Sequence, residues 1–115
     1  MVKIKRAYEK PAKDDGWRVL VDRLWPRGVK KVTAHFDVWL KDVAPSDALR
    51  KWFGHEPERW SGFQKKYRTE LAKKKELVAE LKKMEKEHGT LTLVFGARDV
   101  EHNEAVVLAD ILRGK

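Results

Sequence analysis

The chain has 115 residues, enough for one hydrophobic core and too few for two independently folding units, so a single domain over residues 1–115 is expected. It contains no cysteine, which excludes disulfides, thiol catalysis and cysteine-ligated metal sites and suits a reducing compartment. Lysine and arginine number 26 against 18 aspartate and glutamate, a formal charge of +8 and a pI near 9.8, which draws either nucleic acid or small anions.

The excess charge has a competing explanation. Charged residues make up 38% of the chain, while Asn103 and Gln64 are its only side-chain amides, a balance typical of surface charge networks selected for heat resistance. The basic residues are spread along the chain and form no basic block, which suits that account. The opening segment MVKIKRAYEK lacks an apolar run of signal-peptide length, and no stretch approaches the span of a bilayer. A cytoplasmic protein without membrane association is therefore expected.

In chain order, Val2, Ile4 and Arg6 to Tyr8 alternate as a strand does, and Lys3, Lys5 and Arg6 suit a sheet edge. A turn in KPAKDDG leads to WRVLVD, residues 17–22, a short β-branched run that predicts an interior strand. HFDVWLKDVAP fits both alternation and helical spacing, and is read as a strand ending before Pro45. Ser46 is an N-cap for the helix DALRKWF, which Gly54 terminates, and Pro57 opens the next helix. Trp60, Phe63, Tyr67 and Leu71 turn that helix inward; Leu77, Val78, Leu81 and Met84 resume the pattern after a break at Lys73 to Lys75. LTLVF, residues 91–95, reads as a strand covered on both faces, and a last helix is predicted over Glu101 to Leu112. Strands alternating with helices predict an α/β fold: a small layered sandwich with a partly parallel sheet flanked by helices.

In open α/β sheets ligands occupy the crevice beyond the carboxyl ends of the strands. Two loops leave such ends here: Asp22-Arg23-Leu24-Trp25-Pro26-Arg27-Gly28 and Gly96-Ala97-Arg98-Asp99-Val100-Glu101-His102-Asn103. Parallel neighbouring strands would bring Arg23 or Arg27 together with Arg98. Pro26 suits the second position of a turn, which puts Arg27 third, in the bridge region where side chains are held in fixed directions. Trp25 offers a flat face for stacking. In the second loop Asp99 is a candidate N-cap, and helix-terminal amides beside an arginine seat phosphate or carboxylate. His102 and Asn103 fall in the first turn of that helix.

Each of these residues also has a purely structural account: an Asp22–Arg23 ion pair, a core-capping Trp25, and capping by Asp99 and Asn103. As a group they suggest a site for a small anionic ligand such as a phosphate or nucleotide, with Arg23, Trp25, Arg27, Trp39, Arg98, Asp99, His102 and Asn103 as binding residues. An enzymatic version would be hydrolysis or group transfer, with Asp22 or His102 as acid or base. The alternative is nucleic-acid binding along the lysine-rich helical faces. The aromatic residues Trp52, Phe53 and Trp60 suit core packing or a homo-oligomer contact. His35 and Asp37 are too few ligands for a metal, and no glycine-rich phosphate loop, zinc motif or serine elbow occurs, so no metal or cofactor is expected.

The segments RVLVDRLWPRG, WLKDVAPS, LRKWFGHEPERW, FQKKYRTEL and ARDVEHNEAVVL together resemble the YeaO-like family of uncharacterised proteins, in the family's order and over nearly the whole chain. The matching positions are Asp22, Arg23, Trp25 to Gly28, Trp39, Leu40, Pro45, Ser46, Trp52 to His55, Asp99, His102 and Asn103. The resemblance implies a small α/β domain of cytoplasmic bacterial and archaeal proteins, and it implies no reaction.

Overall fold

A computed structural model describes residues 1–115. Four strands, β1 (Val2–Arg6), β2 (Trp17–Leu20), β3 (Val38–Trp39) and β4 (Leu91–Phe95), form one sheet in the order β1-β4-β2-β3. Every neighbouring pair is parallel, so the sheet is wholly and not partly parallel, and all four carboxyl ends emerge at one rim. The last strand in sequence is inserted between the first two, which buries all five of its residues and explains its unbroken apolar run. The basic strand β1 lies at an edge.

The helices are α1 (Lys31–Ala34), α2 (Asp47–Phe53), α3 (Trp60–Ala72), α4 (Lys75–His88) and α5 (Glu104–Leu112). Alternation along β2 and β4 divides their side chains between two layers. Val19, Val21, Leu91, Leu93 and Phe95 enter a core of 17 buried residues shared with Phe53, Phe63, Tyr67 and Leu81 from α2, α3 and α4 and with Val107 and Leu108 from α5. Leu20 and Val94 point to the other face, where Ala7, Trp25, Val29 and Phe36 cover them. That second layer is a loop with one helical turn, and Asp15 and Arg18 are both buried beside it.

Local signals account for most boundaries. The Ser46 hydroxyl accepts the Leu49 N–H at 3.1 Å, and Gly54 closes α2 in the left-handed conformation. The lysines at 73–75 separate α3 from α4 as expected. Two boundaries differ from expectation. The strand predicted up to Pro45 contains only Val38 and Trp39, and a 3-10 turn over Lys41–Val43 follows, which brings the Val43 carbonyl to the Tyr67 hydroxyl at 2.7 Å. The last helix begins at Glu104 and not at Glu101, for a reason given below.

The turn after β2 is also built differently. Val29 N–H donates to the Pro26 carbonyl at 3.2 Å, so Pro26 is first in the turn, Arg27 second and Gly28 third, with φ of +80°. That positive angle at the third position marks a type II turn and requires glycine. Arg27 is thus an exposed residue outside the bridge region, and its carbonyl accepts the Tyr8 hydroxyl at 3.0 Å.

Candidate functional site

Because the strands are parallel, the segments leaving β2 and β4 meet the C-terminal end of α2 and the N-terminal end of α5 at one rim. There they enclose a cavity of about 280 Å³. Asp22, Gly96, Asn103 and Glu104 line it, together with Arg23, Arg50, His55 and His102, and Phe53 and Phe63 form apolar wall.

Asp22 Oδ2 accepts the Gly96 N–H at 2.8 Å, which ties the two strand exits together. A Cβ at position 96 would lie 3.0 Å from that oxygen, so glycine there permits the close approach. Glu104, the first residue of α5, lies half-buried beside Asp22. Burial holds its carboxyl well above the ordinary range, and a hydrogen bond with Asp22 and the charge of Asp22 add to the effect. Glu104 therefore keeps its proton to a higher pH than an isolated glutamate does. Beneath them Tyr67 is fully buried; burial first, and then the carboxylates of Glu104, Glu70 and Asp22, push its hydroxyl up, so it remains an O–H donor to Val43.

The cations come from two other places. Arg23 reaches the carbonyls of Ala44 and Pro45 only at 3.4 Å, which leaves much of its hydrogen-bonding capacity uncommitted. Arg50 sits 3.4 Å from Asp47, with both side chains more than half exposed, a loose surface pair of little energetic weight. His55 follows Gly54 with φ of +59°, an uncommon angle for a residue with a side chain.

The second loop folds on itself before α5 begins. Asp99 Oδ1 accepts the N–H groups of Glu101 and His102 at 2.9 and 3.1 Å, and Asp99 Oδ2 lies 2.8 Å from His102 Nδ1. The Glu101 N–H, then the bond with His102, hold the Asp99 carboxyl below its usual range. Asn103, buried, caps the helix: its Oδ1 accepts the Val106 N–H at 3.2 Å and its Nδ2 donates to the Asp99 carbonyl at 2.9 Å. The cap expected at Asp99 is therefore Asn103, and Asp99 closes the preceding turn. Asn103→Ala is expected to cost about 0.5–2 kcal/mol, read from chemical denaturation.

Of the residues singled out in sequence, the cavity gathers Asp22, Arg23, His102 and Asn103. Arg27 and Arg98 are exposed and do not line it, so the shared hollow expected for them holds Arg23 and Arg50 instead. Trp25 turns to the opposite layer, 5.4 Å from the Phe36 ring, with its indole N–H on the Val29 carbonyl at 2.6 Å. Trp39 lies outside the cavity and braces it, donating its indole N–H to the Asp22 carbonyl at 2.7 Å. Asp99 acts one step back, through His102. The cavity also gathers Arg50, His55 and Glu104, which sequence reasoning did not place at the site. Glu104 follows Asn103 directly, and in sequence it is only an ordinary carboxylate at the start of a helix. No three histidine, aspartate or glutamate side chains cluster closely enough to hold a metal ion.

None of the solved structures matches the chain. An uncharacterised protein of Mycobacterium tuberculosis is 44% identical over 114 residues, covering 99% of this chain and 95% of its own length, and an uncharacterised protein of Mycobacterium bovis matches equally. The uncharacterised protein YeaO of Escherichia coli is 41% identical over 112 residues, covering 97% of this chain and 96% of its own length. The family model described as the inactive DUF488-N3 subclade matches residues 1–115. With that match and relatives sharing two residues in five from end to end, the chain belongs to the inactive DUF488-N3 subclade and is a YeaO-like protein.

Proposed function

We propose that the protein is a cytoplasmic binding domain for a small anionic ligand, seated at the carboxyl rim of its sheet. One observation carries this reading: Arg23, Arg50 and His55 face a single cavity, with their donors only weakly engaged by the protein itself. Guanidinium groups held this way bind phosphate or carboxylate through paired charge-assisted hydrogen bonds. The rim position is the one ligands take in open parallel sheets, and about 280 Å³ suits a small metabolite better than a polymer. The description of the subclade as inactive favours binding without turnover over hydrolysis or group transfer by Asp22 or His102.

Inorganic phosphate and small organic phosphates are expected to raise the melting temperature and to give saturable heats in calorimetry. Arg50→Ala should weaken that binding about tenfold, the loss of one charge-assisted contact, with little change in stability because Arg50 is exposed. A flat response to every phosphate and carboxylate, or equal binding by the variant, would overturn the reading. Binding of single-stranded or duplex nucleic acid that falls steeply with salt would instead support the lysine-face alternative.

A further inference from the structure

The cavity contains a feature that an anion alone does not explain. Asp22 and Glu104 are neighbouring carboxyls in a chain with a formal charge of +8, yet neither forms an ion pair. Lys5 and Arg18 go to Asp15, Arg50 leans on Asp47, and Arg23, which lines the same cavity, makes only long 3.4 Å contacts with backbone carbonyls and none with either carboxyl. Two carboxyls that make no ion-pair contact at the wall of a cavity are costly to the fold, and such arrangements are characteristic of sites that meet a ligand.

What that ligand presents follows from hydrogen-bonding capacity. Carboxyl oxygens at the cavity wall accept hydrogen bonds, and the Glu104 carboxyl, held above the ordinary range by burial, can also donate one. One Asp22 oxygen is taken by the Gly96 N–H, and Glu104 bonds Asp22 and its own backbone N–H; the acceptor positions that remain border the cavity. Alcohols, which both donate and accept, are the complement of such a pair. A second phosphate is not, because it would meet like charge. An ammonium group would be best met by an ionised Glu104, which the burial of that carboxyl opposes.

Resting on the anion-binding reading above, we propose that the ligand class is a phosphorylated sugar or polyol. Its phosphate lies at the mouth, against Arg50 and His55, and its hydroxyls lie on the floor, against Asp22 and Glu104. The arrangement is consistent with burial, since Arg50 and His55 are exposed while Asp22 and Glu104 are half-buried.

The test is a calorimetric comparison at pH 7 of three probes: ribose 5-phosphate, ethyl phosphate, which lacks hydroxyls, and O-phosphoethanolamine, which carries an ammonium. Ribose 5-phosphate is expected to bind about tenfold or more tightly than ethyl phosphate, the combined effect of two hydroxyl hydrogen bonds. Glu104→Ala should bring that ratio to within about twofold of unity. Asp22→Asn, which retains an acceptor for the Gly96 N–H, should compress it as well and serves if the alanine variant does not fold. Equal affinities for ribose 5-phosphate and ethyl phosphate in the unaltered protein would overturn this inference and leave the anion reading intact. So would a ratio that survives both substitutions, or tighter binding of O-phosphoethanolamine than of ribose 5-phosphate. Binding of none of the three would overturn both readings.

Discussion

Exchanging Asp15 for alanine is expected to lower the unfolding free energy by about 3–5 kcal/mol, the cost of stranding a buried charge. Asp15 and Arg18 are each only 4% exposed and are ion-paired, and Lys5 Nζ reaches Asp15 at 3.1 Å. The rest of the Arg18 guanidinium faces the His35 carbonyl at 3.2 Å and the Ala34 carbonyl at 3.4 Å, neutral acceptors that do not compensate its charge once the carboxylate is lost. The Asp15 carbonyl also accepts the Thr92 hydroxyl at 2.6 Å, which ties the turn before β2 to β4. A double variant, Asp15→Ala with Arg18→Met, removes both charges and should cost far less than the sum of the single changes. Urea denaturation of the four proteins measures this directly, and a loss below about 1 kcal/mol for Asp15→Ala would contradict it.

The pH dependence of this contribution has a fixed sign. Burial works to raise the Asp15 carboxyl, but the Ala12 N–H and the Lys5 and Arg18 side chains outweigh it and hold the carboxyl below its usual range. The unfolded chain therefore takes up the proton first as pH falls. Stability from this group is present above about pH 4, the ordinary aspartate value, and is lost on descending through and below it. In Asp15→Ala that acid limb should flatten.

How much of the molecule was legible in the sequence depended on whether the signal was local. The Ser46 cap, the Gly54 stop, the break at the lysines and the fully covered strand at 91–95 were all readable because each is set by a short run of backbone and side-chain chemistry. What was misread needed long-range information. Arg27 looked aimed because Pro26 was given the second place in its turn, whereas packing of Pro26 in the interior shifts the turn by one residue. Asp99 and Asn103 are both good caps, four residues apart, and only the inward face of α5 selects the later one. Arg50 and His55 sat in a segment whose aromatic spacing already explained it as core, and their rim position follows from where α2 ends against the sheet. Glu104 carried almost no sequence signal, since a glutamate in a first helical turn is ordinary. Its meaning lies in Asp22, brought beside it from 82 positions earlier by the insertion of β4 between β1 and β2.

That juxtaposition leads to a stability change of opposite sign. Glu104→Gln is expected to raise the unfolding free energy at neutral pH by about 1.5–3 kcal/mol, the range for a hydrogen bond to a charged group, because glutamine donates to Asp22 without needing a proton. The folded-state Glu104 carboxyl lies above its unfolded value, chiefly through burial and then through Asp22. The folded protein therefore binds the proton more tightly than the unfolded chain. The benefit of that proton is complete below about pH 4.3, the ordinary glutamate value, and drains away as pH rises from there towards the folded-state value. Glutamine keeps a donor towards Asp22 at every pH, so the variant should lack this decline, and its advantage over the parent should widen between pH 4 and neutrality. Asp15 and Glu104 thus pull in contrary directions as pH falls: the first removes stability on the acid side and the second restores it. Thermal melts of parent and variant across pH 3–8 separate the two, and parallel curves throughout would mean that folding does not raise the Glu104 carboxyl. A stabilising substitution at a cavity-lining carboxyl is what a site held for its ligand at the fold's expense produces, and the same substitution is expected to weaken binding of a hydroxylated phosphate.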